Sequence, residues 1–91
     1  MPENTVKVKV CFLSLLQKYV GGVREVEMDL SPELEQAIDF IIERFQIPWA
    51  GNFEKFIRVF INKELSQVFV ESGKRLKDGD TIMFIPVSGG G

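Results

Sequence analysis

The chain of 91 residues has the length and composition of one small globular domain. Hydrophobic residues make up 45% of it and include eight phenylalanines, which is enough to build a core without disulfide bonds. It has one cysteine and no histidine, so an intramolecular disulfide, a histidine-activated nucleophile and an imidazole general base are excluded. We therefore do not expect the protein to be catalytic on its own.

The charge balance and the hydropathy pattern argue against two classes of partner. Eleven basic and 13 acidic side chains give a formal net charge of −2, which leaves no positive surplus for binding nucleic acid. Apolar runs stay well short of the roughly 18 residues that a membrane span requires, and no signal peptide is recognisable. The sequence therefore predicts a cytoplasmic protein, without nucleic-acid or membrane partners, that acts together with other proteins.

The first half of the chain predicts two strands and a helix. Apolar and polar residues alternate over 6–12 and again over 25–30, the period of strands with one buried face. Residues 14–22 should join these strands as the loop of a long hairpin. Ser31 and Pro32 are typical of a helix start, and an apolar stripe at three- and four-residue spacing continues to Phe45. The predicted helix, over about 32–45, must cover a sheet.

The second half predicts three further strands. Residues 56–61 are rich in β-branched and aromatic side chains, a shorter and less regular strand is expected over 65–69, and the last strand spans 81–85. An Asp-Gly-Asp turn at 78–80 precedes this last strand. The order ββαβββ predicts the α+β class, with one helix packed on one sheet.

The chain ends in three glycines, which carry the sharpest functional signal. Glycine has no Cβ, so a glycine tail can thread a slot too narrow for any side chain. A free carboxylate at Gly91 is a poor electrophile. An ATP-using partner would have to adenylate it before sulfur or an amine could displace AMP. A frayed end without a function is the alternative, because chain termini are commonly disordered.

The whole pattern resembles the MoaD/ThiS family of ubiquitin-like sulfur carriers, and within it most closely the small subunit of molybdopterin synthase. The resemblance rests on the ββαβββ order, the Leu-Lys-Asp-Gly-Asp turn at 76–80, the apolar strand that follows it and the terminal glycines. It implies a β-grasp fold, a mixed sheet in which the first and last strands pair in parallel at the centre. Residues 1–87 would form the domain and 88–91 a flexible tail.

The resemblance also implies a carrier cycle in which partners do the chemistry. An E1-like enzyme uses ATP to adenylate Gly91, and a sulfur donor converts it to a thiocarboxylate. The tail, with Gly90 before it, then enters a pocket of the molybdopterin synthase large subunit in a heterotetramer. There it gives sulfur to a pterin precursor, and the resulting dithiolene binds molybdenum or tungsten. The carrier itself is expected to bind no cofactor stably.

Strand parity predicts where these partners dock. If Val10 and Phe84 face the helix, then Cys11, Leu13, Met83, Ile85 and Phe60 point to the uncovered face and form an apolar patch there. Leu65 resembles an interface position of the molybdopterin synthase relatives and should lie at the edge of this patch. Pairing of two copies of the chain is the alternative use of the patch.

Several other functions remain open at this point. Carriers for thiamine synthesis have a tighter turn after the first strand, whereas carriers for cysteine synthesis and small protein modifiers resemble the chain about as well. A β-grasp interaction module without tail chemistry belongs to a different class. Deleting Gly91 would abolish the function of a carrier and leave a docking module intact.

Overall fold

The computed structural model describes residues 4–49 and 55–87. In chain order the elements are β1 (Val6–Phe12), a 3-10 helix (Ser14–Val20), β2 (Glu25–Leu30), α1 (Leu34–Phe45), β3 (Ile57–Ile61), β4 (Glu64–Leu65), α2 (Ser66–Glu71) and β5 (Thr81–Pro86). The segments with predicted strand patterns thus form β1, β2, β3 and β5, and the segment with the apolar stripe forms α1.

The described strands form one mixed sheet in the order β2-β1-β5-β3-β4. β1 and β5 run parallel at its centre, with Val10 opposite Ile82, and the other neighbouring pairs are antiparallel. The chain between these two central strands passes through α1, which covers one face. The expected parallel central pair is confirmed, and the fold is a ubiquitin-like β-grasp.

The core lies between α1 and the sheet. The fully buried side chains that α1 contributes are Leu34, Ala37 and Ile41. Phe12 joins the layers, because its ring lies 5.2 Å from that of Phe45 in an edge-on arrangement and 5.3 Å from that of Phe84. Burial of each such side chain stabilises the fold by about 1.5–3 kcal/mol, so this contact layer fixes α1 on the sheet.

The helix start is close to the predicted one. The Ser31 hydroxyl accepts a hydrogen bond from the backbone N–H of Glu33 at 3.1 Å and donates one to Gln36 Oε1 at 2.9 Å. Helical geometry begins at Leu34, two residues later than expected; the N-cap is Glu33, whose side chain makes no capping hydrogen bond, and Ser31 lies before the helix rather than at its N-cap. In the ranges 4–49 and 55–87 no helix has the length and apolar composition needed to cross a membrane.

The connection between β1 and β2 is more ordered than the predicted loop. Instead of an irregular segment over 14–22, Ser14–Val20 forms a 3-10 helix that buries Leu16. Gly21 ends this helix with φ 70°, and its N–H donates to the carbonyl oxygen of Gln17. Glycine suits this position because a side chain disfavours left-handed backbone. The predicted hairpin pairing of β1 with β2 is nevertheless correct.

The expected strand over 65–69 is wrong. β4 has only the two residues Glu64–Leu65, and Ser66–Glu71 forms α2. The β-branched and aromatic residues of this segment raise its strand propensity. Tertiary packing decides otherwise, because one and a half helical turns carry Phe69 into the core and return the chain toward the start of β5.

Candidate functional site

The last described strand fixes the point from which the glycine tail leaves the domain. β5 lies at the sheet centre and ends at Pro86, and the backbone N–H of Val87 donates to the carbonyl oxygen of Phe56 at 2.7 Å. Gly90 and Gly91, with the rest of the predicted tail at 88–91, lie outside the described residues. The tail therefore follows a central strand that is paired on both sides.

Three chain segments meet at the end of the sheet where the C-terminal residue of β5 lies. β1 and β5 are parallel, so Phe12 lies at the same end as Pro86, and β3 begins there because Ile57 pairs with Pro86. The backbone N–H of Leu13 donates to the Phe84 carbonyl at 3.1 Å, which attaches the start of the 3-10 helix beside β5. We call this end of the sheet the tail end. The opposite end of the sheet, where β5 begins, is the distal end.

The sheet face turned away from α1, which we call the open face, has no helix over it in the described structure. By strand alternation it carries Lys7, Lys9, Cys11, Glu25, Glu27, Asp29, Arg58, Phe60, Leu65, Thr81, Met83 and Ile85. The large apolar members lie together on β5, β3 and β4, where Arg58 and Thr81 are the polar exceptions, whereas charged residues occupy most of β1 and β2. The open face is thus divided into an apolar and a charged half.

The apolar half brings most of the predicted partner residues together. Phe60 pairs with Met83 on one side and with Leu65 on the other. Phe60, Met83 and Ile85 line a groove of about 620 Å³. Leu13 is half-buried and lies at the tail end rather than in this groove. Four of the five predicted residues therefore form one continuous surface, and their role in binding stays a prediction.

Ion pairs stabilise the charged half only weakly. Lys7 Nζ lies 3.3 Å from Asp29 Oδ1, and Lys9 Nζ lies 3.6 Å from Glu25 Oε2, with all four side chains largely exposed. Exposed pairs of this kind contribute roughly 0–1 kcal/mol each because water and salt screen them. Their main consequence is a polar edge strand, which discourages edge-to-edge association through β2.

Cys11 lies between the two halves and is not an activated nucleophile. Burial raises the pKa of the Cys11 thiol above its ordinary value, and the nearby Glu25 carboxylate raises it further against the opposing effect of Lys9. The thiol is therefore protonated at neutral pH. Among the described residues no three Cys, Asp or Glu side chains cluster closely enough to hold a metal ion.

Two side chains at the distal end form a hydrogen-bonded pair, which we call the clasp and which the sequence does not predict. Asp80 is only 7% exposed, and its carboxylate accepts hydrogen bonds from Asn62 Nδ2 at 2.9 Å and from the backbone N–H of Lys77 at 2.8 Å. Asn62 Oδ1 in turn accepts the backbone N–H of Thr81 at 3.0 Å. The clasp, formed by Asn62 and Asp80, locks the β3–β4 turn to the first residue of β5. Each residue alone is typical of a turn, and nothing in the sequence pairs them.

Comparison with known proteins agrees with the fold. The model of the ThiS family matches residues 10–91, which is most of the chain and includes Gly91. No curated protein matches. Among solved structures, the small archaeal modifier protein 1 (SAMP1) from Methanosarcina acetivorans is 20% identical, with a TM-score of 0.75 over 98% of this chain and 100% of that one.

Two further solved structures have the same fold. A protein assigned as molybdopterin converting factor, subunit 1, from Pyrococcus furiosus is 23% identical, with a TM-score of 0.68 over 91% of this chain and 99% of that one. A chain of the Amycolatopsis orientalis BexX/CysO complex is 29% identical, with a TM-score of 0.62 over 92% and 99% respectively. With the family match over residues 10–91, the chain belongs to the ThiS family of ubiquitin-like sulfur carriers and modifiers.

Proposed function

We propose that this protein is a sulfur carrier that acts through the α-carboxylate of Gly91. One carboxylate oxygen attacks the α-phosphorus of ATP in a separate adenylating enzyme, and pyrophosphate leaves. A hydrosulfide ion supplied by a sulfur donor then attacks the carbonyl carbon, AMP departs with the oxygen, and the sulfur loses its proton. The product is a thiocarboxylate, in which sulfur has replaced one oxygen of the Gly91 carboxyl group.

The observation that carries this proposal is the course of β5. The central strand lines the apolar groove through Met83 and Ile85 and ends at Pro86, only five residues before Gly91. A partner that binds the apolar half of the open face is therefore held next to the start of the tail. This arrangement supports a carrier, because docking and delivery of the reactive group use the same strand.

As the enzyme that uses the thiocarboxylate we propose the large subunit of molybdopterin synthase. It would take Gly90 and Gly91 into its active site within a heterotetramer. Sulfur would then pass to a pterin precursor of the molybdenum cofactor. The support is the resemblance of the 76–80 turn and the following strand, together with the likeness to the Pyrococcus furiosus protein. The carrier itself needs no bound cofactor for this role, and ATP is the substrate of its activating enzyme.

Cysteine synthesis is the second candidate pathway. The support for it is the resemblance of residues 56–62 to carriers for cysteine synthesis. The 29% identity to a chain of the BexX/CysO complex, the highest of the three structural likenesses described above, shows that a similar chain forms a complex with another protein. Both pathways use the same thiocarboxylate and differ in what consumes it. The groove residues Phe60 and Met83 would then contact a different acceptor.

Two experiments separate these possibilities. ATP–pyrophosphate exchange by the purified adenylating enzyme should depend on the carrier and vanish when residues 89–91 are deleted, because removal of Gly91 alone leaves Gly90 with a free carboxylate. Urea unfolding of that variant should stay within about 0.5 kcal/mol of the parent. A protein that lacks residues 89–91 and still supports exchange would contradict the carrier function. The loaded carrier is next incubated with the synthase large subunit and a pterin precursor. Sulfur transfer supports the molybdopterin pathway, and failure with an active large subunit contradicts it.

A further inference from the structure

We propose that Leu15 and Phe56 form an apolar collar around the tail end, and that the collar contacts the rim of the slot into which the adenylating enzyme takes Gly91. Neither residue belongs to the groove on the open face. Leu15 is 64% exposed and Phe56 is 47% exposed. The inference rests on the proposed function, since it concerns the same adenylating partner, and it adds a second contact region to that partner's footprint.

The backbone places the two collar residues on opposite sides of the end of β5. On the β1 side, the hydrogen bond from Leu13 to Phe84 anchors the 3-10 helix, and burial of Leu16 turns the neighbouring Leu15 outward. On the β3 side, the N–H of Val87 donates to the Phe56 carbonyl at 2.7 Å, so these two residues lie opposite each other. The segments on both sides of the end of β5 therefore each carry an exposed apolar side chain.

Because the tail is short, an adenylating enzyme that binds Gly91 must come close to the tail end. The proposed function places the reactive carboxylate on Gly91, and the four residues 88–91 span at most about 14 Å when fully extended. A slot that brings ATP to the Gly91 carboxylate must open within that distance of Val87. A rim within that distance of Val87 lies beside the tail end, whose segments carry the exposed side chains of Leu15 and Phe56.

The chemistry of the tail end indicates an apolar rim. Six large hydrophobic residues are substantially exposed in the described part of the chain, and three of them, Leu15, Tyr19 and Phe56, lie on the segments that border the tail end. Single exposed apolar residues are ordinary, whereas a group that borders a reactive terminus is typical of a contact surface. Burying such side chains on docking favours association through the hydrophobic effect. We therefore assign the rim apolar side chains.

The test compares collar variants with equally exposed apolar residues elsewhere. Leu15→Gln and Phe56→Gln remove the apolar contact without adding charge. The matched controls are Phe40→Gln, on the solvent side of α1, and Val68→Gln, on α2 at the distal end. In ATP–pyrophosphate exchange with the purified adenylating enzyme, each collar variant should raise the KM for the carrier about 10-fold. The control variants should stay within about twofold of the parent, and urea unfolding verifies that every variant is folded.

The outcomes distinguish this inference from the proposed function. If the parent protein is adenylated and the collar variants keep its KM, the collar is wrong while the carrier function stands. If the controls raise KM as much as the collar variants, the effect is not located at the tail end and the collar is again wrong. If Gly91 of the parent is never adenylated by an active enzyme, the carrier function fails and the collar with it. Leu15→Ala and Phe56→Ala replace the glutamine variants should those fail to fold.

Discussion

Replacing Asn62 tests how the clasp at the distal end stabilises the fold. In Asn62→Ala the Asp80 carboxylate loses its donor at 2.9 Å and the Thr81 N–H loses its acceptor at 3.0 Å. A hydrogen bond to a charged group contributes about 1.5–3 kcal/mol, and the more exposed bond to Thr81 about 0.5 kcal/mol. Asn62 also has φ 58°, a left-handed conformation that is about 1 kcal/mol less favourable for alanine. We expect Asn62→Ala to lower the free energy of unfolding by about 3 kcal/mol.

Asn62→Gly separates the two contributions. Glycine loses the same hydrogen bonds but adopts positive φ without strain, so this variant should lose about 2 kcal/mol. Urea unfolding followed by fluorescence of Trp49, the single tryptophan, measures both variants, because its ring packs 6.1 Å from that of Phe84 in the core. An Asn62→Ala protein within about 1 kcal/mol of the parent would refute the role of the clasp. Equal losses for alanine and glycine would refute the backbone contribution.

Three further predictions concern the open face and the core. Phe60→Asp should weaken binding of the adenylating enzyme by at least about 2 kcal/mol in titration calorimetry. Phe40→Asp, at a position 50% exposed on α1, should leave binding unchanged, and equal effects of the two variants would contradict docking on the open face. Cys11 should react with iodoacetamide at pH 8 more slowly than free cysteine, because its raised pKa keeps the thiol protonated. Glu25→Gln should speed the reaction, and a rate for the parent at or above that of free cysteine would contradict the raised pKa. Phe69→Ala should lower the free energy of unfolding by about 3–5 kcal/mol, and a loss below about 1 kcal/mol would show that α2 contributes little to the core.

Regular burial explains why much of the fold can be predicted. Alternation in β1 exposes Lys9 and buries Val8 and Val10, and this pattern can be read without knowing what covers the strand. The same parity assigns Phe60 and Met83 to the open face from their positions in the sequence alone. The direction of the central pairing comes from the family resemblance, because a hydrophobic pattern contains no information about which strands are neighbours.

Features decided by contacts through space cannot be predicted in this way. The segment containing Phe69 has the composition of a strand, and only the need to fill the core beside α1 and return the chain to β5 makes it helical. The pairing of Asn62 with Asp80 joins residues 18 positions apart, and each alone is typical of a turn. The sequence assigns the collar residue Phe56 only to strand β3, since its position beside Val87 depends on how β3 and β5 end.

The carrier function is tested most directly by the intact mass of the protein after incubation with ATP, the adenylating enzyme and a sulfur donor. Replacing one carboxylate oxygen of Gly91 by sulfur should raise the mass by about 16 Da, and fragmentation should assign the increase to the peptide that contains Gly91. This assignment is needed because oxidation of any of the three methionines adds the same nominal mass. A Gly91-deleted control should show no such fragment. An unchanged Gly91 peptide in the presence of an active adenylating enzyme and donor would contradict the carrier function.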